Sequence, residues 1–205
     1  MVSAVLLTTG TSLAIFSTVP YIKDIVQGKA KPRMVSWAVW ALLLGLTAIV
    51  SWQQHQISSA ILSGTSMVAC LIVTILAARH ASFKLTRLER YSLVGALIGL
   101  GLWLILDNPM LVLVAAAAVD IIAYLPTYIN GWHNPHHESM SMFVTSASGS
   151  GLVLLAAILA HATPYGLIYP LYSTIFGGIM VGILLTQRQR NTEATGVIAA
   201  LYATE

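Results

Sequence analysis

One carboxyl group interrupts a long apolar stretch in the second half of the chain. Asp120 directly follows the apolar residues 111–119 and lies ten residues after Met110. In a helix this spacing corresponds to about 15 Å, half of the roughly 30 Å thickness of the bilayer core. No Lys or Arg lies inside the apolar segments to pair with it. A carboxyl at this depth costs about 2.5–3.5 kcal/mol on insertion, so we expect it to serve a function.

Two interpretations of Asp120 remain open. A buried carboxyl without a cation favours its protonated form, and such a group could bind and release a proton in a proton or substrate site. Alternatively, a neutral Asp120 is a hydrogen-bonded contact between helices. Tyr124 lies four residues further along, on the same helix face, and is the predicted partner of the carboxyl. Tyr169 and Tyr172, beside Pro170, either line such a site or pack against neighbouring helices.

Two prolines and two tryptophans lie near the ends of predicted helices. Pro20 and Pro126 lack a backbone N–H, so each either allows a bend within its helix or ends the helix. We predict hinges, because the two halves of the chain place the proline alike. Trp37 and Trp40 lie one helical turn apart, and form either a cytoplasmic gate or part of the aromatic belt at the lipid headgroups.

Polar residues gather in the connection after the fifth apolar segment. Residues 133–138 contain three histidines and Glu138, a spacing that could ligate a metal. Because no apolar segment supplies further ligands, we predict no metal site and no cofactor. Glu138 is expected to have a structural role at the start of the next helix, with Ser139 or Asn134 as the cap of that helix.

The composition defines the class of scaffold that positions these groups. Of the 205 residues, 57% are hydrophobic and 8% are charged, and the mean hydropathy is +0.81. Soluble domains carry about 25% charged residues, so we predict an all-α integral membrane protein without a large soluble enzyme domain. A spanning helix needs about 20 apolar residues. Seven segments fit, at roughly 3–22, 35–53, 58–78, 91–106, 110–128, 140–160 and 166–186.

The ten basic residues lie on one side of this topology. They occur in the connections after helices 1 and 3 and in the tail after helix 7, and the connections after helices 2, 4 and 6 contain none. Because cytoplasmic loops retain Lys and Arg, we predict an external N-terminus and a cytoplasmic C-terminus. Short loops and no targeting segment favour the plasma membrane (cell inner membrane). No basic cluster is dense enough to predict nucleic acid as a partner.

The two halves of the chain share an order of elements. Each has a helix with a proline near its cytoplasmic end, a polar loop, a second helix, a tight loop and a third helix. An odd linker helix between them makes the halves parallel, related by an axis along the membrane normal. The predicted arrangement is therefore 3+1+3. It comprises a first repeat at 1–79, linker helix 4 within 80–108, a second repeat at 109–186 and a cytoplasmic tail at 187–205.

Two motifs within these halves resemble a known family. The first PQ-loop repeat of the SWEET/PQ-loop (MtN3) superfamily is similar to residues 18–24 (TVPYIKD), 29–33 (KAKPR) and 36–37 (SW). The second repeat is similar to residues 124–127 (YLPT) and 134–139 (NPHHES). The resemblance implies a carrier of small solutes, such as sugars, amino acids or related metabolites. It also implies that the two prolines are hinges for alternating access.

We therefore predict a membrane carrier of a small polar solute, not an enzyme, that works by alternating access. Proton coupling through Asp120 is a hypothesis within that prediction. The alternative is a non-transporting scaffold or a receptor-like protein that acts through its loops. A retinal protein is excluded, because no Lys follows Lys84. The predicted partners are the solute and the lipid bilayer, and a homo-oligomer is left open.

Overall fold

The chain folds into α-helices. The computed structural model describes residues 2–79, 87–105 and 108–202, and these ranges contain seven helices and no strand. Helices are expected here, because an apolar solvent leaves the backbone no hydrogen-bond partner outside the chain itself. In chain order they are α1 (Val2–Val26), α2 (Met34–Gln53), α3 (Ile57–Ala78), α4 (Arg87–Ile105), α5 (Pro109–His133), α6 (Met140–Leu159) and α7 (Pro164–Tyr202).

Six of these helices, α1, α2, α3, α5, α6 and α7, are long and apolar enough to cross a membrane. The prediction of an all-helical membrane protein is confirmed at this level. The predicted fourth segment, residues 91–106, overlaps α4, and residue 106 lies outside the described residues. Large apolar side chains such as Phe16, Ile75 and Val114 are exposed on the outside of the bundle. Lipid tails would cover such a surface without cost.

Two helices extend beyond the prolines near their ends. Pro20 lies inside α1, which continues to Val26, and Pro126 lies inside α5, which continues to His133. A proline removes one backbone hydrogen bond from a helix, and the neighbouring turns retain theirs. The alternative in which each proline ends its helix is therefore wrong, and both helices are longer than predicted.

The last helix also extends further than predicted. It continues past residue 186 to Tyr202, so the tail predicted from residue 187 begins as a continuation of α7. Arg188 explains part of this extension, because its guanidinium donates hydrogen bonds to the carbonyl oxygens of Pro135 and Glu138. These bonds hold α7 against the segment that joins α5 to α6.

The helices pack in a regular pattern. In the first half α3 contacts α1 and α2, and in the second half α7 contacts α5 and α6. Between the halves, α1 packs along α6, α2 packs along α5, and α3 meets α7. The described part of α4 lies against α2 and α5. Contacts between the halves therefore involve all six long helices.

Two glycines allow the close approach of α1 and α6. A Cβ atom added to Gly10 would lie 2.6 Å from the carbonyl oxygen of Gly149, and one added to Gly149 would lie 2.6 Å from that of Gly10. Real Cβ atoms do not approach a backbone oxygen so closely, so each position requires glycine. Small residues at such crossings let membrane helices pack through their backbones.

Candidate functional site

A cavity lies between the two halves of the bundle. Its wall includes residues of α1, α2, α3, α5, α6 and α7, and its volume is about 70 Å³. A water molecule needs about 10–15 Å³ on this measure, so the cavity has room for several waters or for a small solute. We call this space the central cavity.

The central cavity brings together six of the eight residues singled out in the sequence. They come from three helices, and they are Trp37, Trp40, Asp120, Tyr124, Tyr169 and Tyr172. The two prolines lie close by. Pro20 follows the wall residue Thr18 by two positions, and Pro126 follows Tyr124 by two. The prolines are therefore placed where a bend would move the wall.

Asp120 lies halfway along α5, and its side chain is only 4% exposed. The groups that face it come from three helices. Tyr124 and Tyr128 lie on its own helix, Tyr169 and Tyr172 on α7, and Cys70 on α3. None of these side chains is a cation, so the carboxyl lies among neutral groups.

Two polar atoms in the wall have no hydrogen-bond partner. They are the hydroxyl of Tyr172 and the indole N–H of Trp40, and both are buried. The Tyr172 hydroxyl approaches the Asp120 carboxyl and the Thr47 hydroxyl, but neither approach meets the distance and angle of a hydrogen bond. Leaving a buried donor unpaired costs about 1–3 kcal/mol. A polar ligand in the central cavity would remove this cost.

Aromatic rings form a continuous path along one side of the central cavity. The ring centroids are 5.1 Å apart for Trp37 and Trp40 and 4.8 Å apart for Trp40 and Tyr124. Trp37 and Trp40 are 3% and 6% exposed. Belt residues face lipid, so these two tryptophans do not form an aromatic belt, and the gate interpretation stays a prediction.

Small hydroxyl residues complete the wall, and sequence reasoning did not single them out. They are Ser17, Thr18, Ser66, Ser146 and Ser173. Serine and threonine are common at helix contacts in membranes, where they pack closely and often bond to their own backbone. Ser17 does so here, since its hydroxyl donates to the carbonyl oxygen of Ala14 at 2.7 Å. The residue type alone therefore does not distinguish a residue of a cavity wall from one at a contact between helices.

A second buried carboxyl lies at the end of the bundle where the segments 27–33 and 134–139 meet, which we call the basic end. The side chain of Glu138 is 3% exposed. Its Oε1 accepts a hydrogen bond from the Asn130 amide at 2.7 Å, and its Oε2 accepts one from the Tyr21 hydroxyl at 3.4 Å. Glu138 therefore joins α1 to α5. The sequence predicted a structural role for Glu138 only at the start of α6, and it did not predict the contact with Tyr21.

Burial raises the pKa of Glu138 to about 7, although the hydrogen bonds from Asn130 and Tyr21 act in the opposite direction. Desolvation penalises the charged carboxylate more than two hydrogen bonds favour it. The protonated and ionised forms of Glu138 are therefore both populated near neutral pH.

The other groups of this connection have local roles. Ser139 occupies the N-cap position of α6, but its side chain makes no capping bond and pairs instead with the Ser141 hydroxyl at 3.1 Å. Asn134 is the C-cap residue of α5. The expectation that either side chain caps α6 is therefore wrong. Among the described residues, no group of three or more His, Cys, Asp or Glu side chains could hold a metal ion.

Comparison of the chain with protein-family models, with curated proteins and with solved structures finds no match.

Proposed function

We propose that the protein is an integral membrane carrier of a small polar solute, which binds in the central cavity and crosses by alternating access. The observation that carries this proposal is the wall of the cavity. It draws on both halves of the chain and combines the buried Asp120 carboxyl with two unpartnered donors, on Tyr172 and Trp40. A purely structural cavity would gain nothing from this combination, because each unpaired polar group costs stability.

The 3+1+3 arrangement of parallel repeats is part of the proposal. Exchanging α1, α2 and α3 with α5, α6 and α7 maps the contact of α3 with α7 onto itself and each other described contact among these six helices onto another of them. For example, the contact of α1 with α6 maps onto that of α5 with α2. Two equivalent halves around a shared site are common in transporters. The same plan is what the resemblance to the SWEET/PQ-loop superfamily implies.

The basic end is proposed to face the cytoplasm of a plasma-membrane protein. It holds Lys29, Lys31 and Arg188, and the backbone N–H of Lys31 donates to the carbonyl oxygen of His137 across the two halves. Retention of Lys and Arg on the cytoplasmic side supports this orientation. The N-terminus would then lie outside.

Alternating access requires the two halves to separate at one end at a time. At the basic end, the ring of Tyr21 packs against that of Trp37 at 5.1 Å, and its hydroxyl bonds to Glu138. Pro20 is the next residue along the chain, and Pro126 lies in α5 between Asp120 and Asn130. Bends at the two prolines would open these contacts, with Trp37 and Trp40 as the gate between the basic end and the central cavity.

The experiment is a current measurement on proteoliposomes adsorbed to a solid-supported membrane. Sugars, amino acids, carboxylates, amines and vitamins are applied with and without a pH step to the wild type and to Asp120→Asn. We expect a solute-dependent current or, where the exchange moves no net charge, solute uptake, and Asp120→Asn should reduce either signal by at least tenfold. Asp24→Asn, the same change in α1 outside the central cavity, is the control and should retain most of the activity.

Electroneutral transport is covered by uptake of the same solutes in radiolabelled form. Absence of both current and uptake across the panel would contradict the carrier and favour the alternative, a scaffold that acts through its loops. Full activity of Asp120→Asn would leave a carrier without a role for this carboxyl.

A further inference from the structure

We propose that the solute is an organic monocation that also carries a hydrogen-bond acceptor, and that it exchanges for the proton on Asp120. This inference rests on the proposed carrier function and names its substrate class. The geometry behind it is a lone carboxyl in the central cavity, surrounded by aromatic rings and by two unpartnered donors.

The charge of the cavity favours a cation. Among the described residues that line it, Asp120 is the only acid, and none is Lys, Arg or His. In a region of low dielectric constant, an ionised carboxyl strongly attracts one positive charge and repels an anion. A sugar or another neutral solute carries no charge that could replace the proton on Asp120.

The aromatic rings favour an organic cation over a hydrated metal ion. Trp40 and Tyr124 form one pair, with centroids 4.8 Å apart, and Tyr169 and Tyr172 form another, at 5.3 Å. The faces of such rings attract ammonium groups within about 6 Å, and aromatic cages of this kind bind quaternary ammonium groups.

The unpartnered donors define the second feature of the solute. The indole N–H of Trp40 can only donate, so its partner must be an acceptor atom. A hydroxyl or carbonyl oxygen on the solute, held at a short distance from the cationic group, would meet this requirement. The Tyr172 hydroxyl can either donate to the same oxygen or accept from it.

Exchange follows from the position of Asp120. Without the solute, the carboxyl carries a proton. When the cation binds, the O–H bond of the carboxyl breaks, and the proton leaves through the open side of the cavity into bulk water. The positive charge of the cation then neutralises the carboxylate in place of the proton. The facing groups Tyr124, Tyr128, Tyr169, Tyr172 and Cys70 are neutral types at pH 7, so the exchange involves Asp120 alone. One cation moves inwards or outwards for each proton that moves the other way.

The test is isothermal titration calorimetry on the purified protein in detergent. The probes are choline and its uncharged carbon analogue 3,3-dimethyl-1-butanol, which has the same shape and the same hydroxyl. We expect choline to bind at least tenfold more tightly than the alcohol. Measurements in two buffers of different ionisation heat should show release of close to one proton per choline bound, and the affinity should fall by up to tenfold for each pH unit towards acid.

Two variants with the same chemical change serve as test and control. Asp120→Asn should lose at least tenfold in affinity for choline and should release no proton, whereas Asp24→Asn, in α1 outside the central cavity, should match the wild type. Both must elute as monodisperse protein, so that a folding defect is recognised. Benzyltrimethylammonium serves as a second cation, which tests whether the central cavity also binds a larger organic cation.

The outcomes separate this inference from the carrier proposal. Equal binding of choline and the alcohol, or failure of both cations to bind, overturns the organic cation as the substrate class. If a neutral or anionic solute then drives current in proteoliposomes, the carrier stands and only the substrate class is wrong. If no solute drives current or uptake, both proposals fail.

Discussion

The described part of the chain buries two carboxyl groups in opposite surroundings. Glu138, at the basic end, has each of its carboxyl oxygens bonded to a side chain, Asn130 on α5 and Tyr21 on α1. Asp120, in the central cavity, faces Tyr172 without a well-formed hydrogen bond. One carboxyl is therefore satisfied by the protein, and the other is not.

This difference distinguishes a carboxyl with a structural role from one that is free to bind a ligand. Burial is nearly the same for the two groups, at 3% and 4% exposure, so burial alone does not distinguish them. The hydrogen bonds distinguish the two groups. A carboxyl that is bonded within the protein loses its partners when the halves move, whereas one without a partner gains one when a solute binds. Glu138 thus fits a contact that holds the basic end closed, and Asp120 fits a binding site.

The largest expected effect is on stability, from Glu138→Ala. The substitution leaves the Asn130 amide and the Tyr21 hydroxyl buried without an acceptor, which should cost about 3 kcal/mol of unfolding free energy. Asp120→Asn should change that free energy by less than about 0.5 kcal/mol, since it breaks no well-formed hydrogen bond. Unfolding by SDS titration in mixed micelles measures both, and equal losses would remove the distinction between the two carboxyls.

The second effect is a dependence of the stability of the fold on pH, which arises from the titration of Glu138. Its pKa is raised to about 7 in the folded protein and is about 4.3 in an unfolded chain, so the folded state holds the proton more tightly. Stability from this group is therefore highest below pH 4 and falls as the pH rises towards 7. Between pH 5 and pH 8 the loss should be about 2 kcal/mol.

Glu138→Gln is the control for this dependence, because glutamine does not titrate. The charged side chains that share its cleft, Asp24, Lys29, His136 and Arg188, are present in both proteins. The difference between the wild type and Glu138→Gln therefore isolates the carboxyl. A parallel pH profile for the two proteins would show that Glu138 does not titrate in this range.

The third effect compares two tyrosine hydroxyls. The Tyr128 hydroxyl donates to the carbonyl oxygen of Phe176 at 2.7 Å, and Tyr128→Phe should destabilise the fold by about 1 kcal/mol. The Tyr172 hydroxyl has no partner, so Tyr172→Phe should leave stability unchanged while weakening solute binding severalfold. Melting temperatures and binding affinities of the two variants test this pair. A stability loss in Tyr172→Phe would show that its hydroxyl is satisfied in the folded protein.

The last effect concerns transport rather than stability and is expected from a substitution of Pro126, which lies in α5 between the two regions, by alanine. We expect transport to slow severalfold, because the substitution stiffens the hinge proposed between the central cavity and the basic end. Folded yield should fall much less, since alanine restores a helical N–H. Transport rate per folded protein, with size-exclusion yield beside it, is the measurement. Equal losses in rate and yield would assign the proline a structural role.

Much of the helical architecture follows from local composition. The apolar segments predict all seven helices, and six of these are long and apolar enough to span a membrane. Their ends were less predictable. α1 and α5 pass their prolines, and α7 continues beyond residue 186 where Arg188 bonds to the α5–α6 segment. Helix ends depend on contacts with other segments, which no local pattern contains.

The sequence by itself determined the all-helical, apolar class of the protein and the place of Asp120 midway along α5, because both depend on the composition of one segment and on spacing within it. Only the tertiary structure decided which groups meet. Tyr21 and Glu138 are 117 residues apart in the chain, and Gly10 and Gly149 meet at a helix crossing. Such contacts depend on how the helices pack, and packing is a property of pairs of surfaces. The same packing leaves Tyr172 and Trp40 without partners beside Asp120.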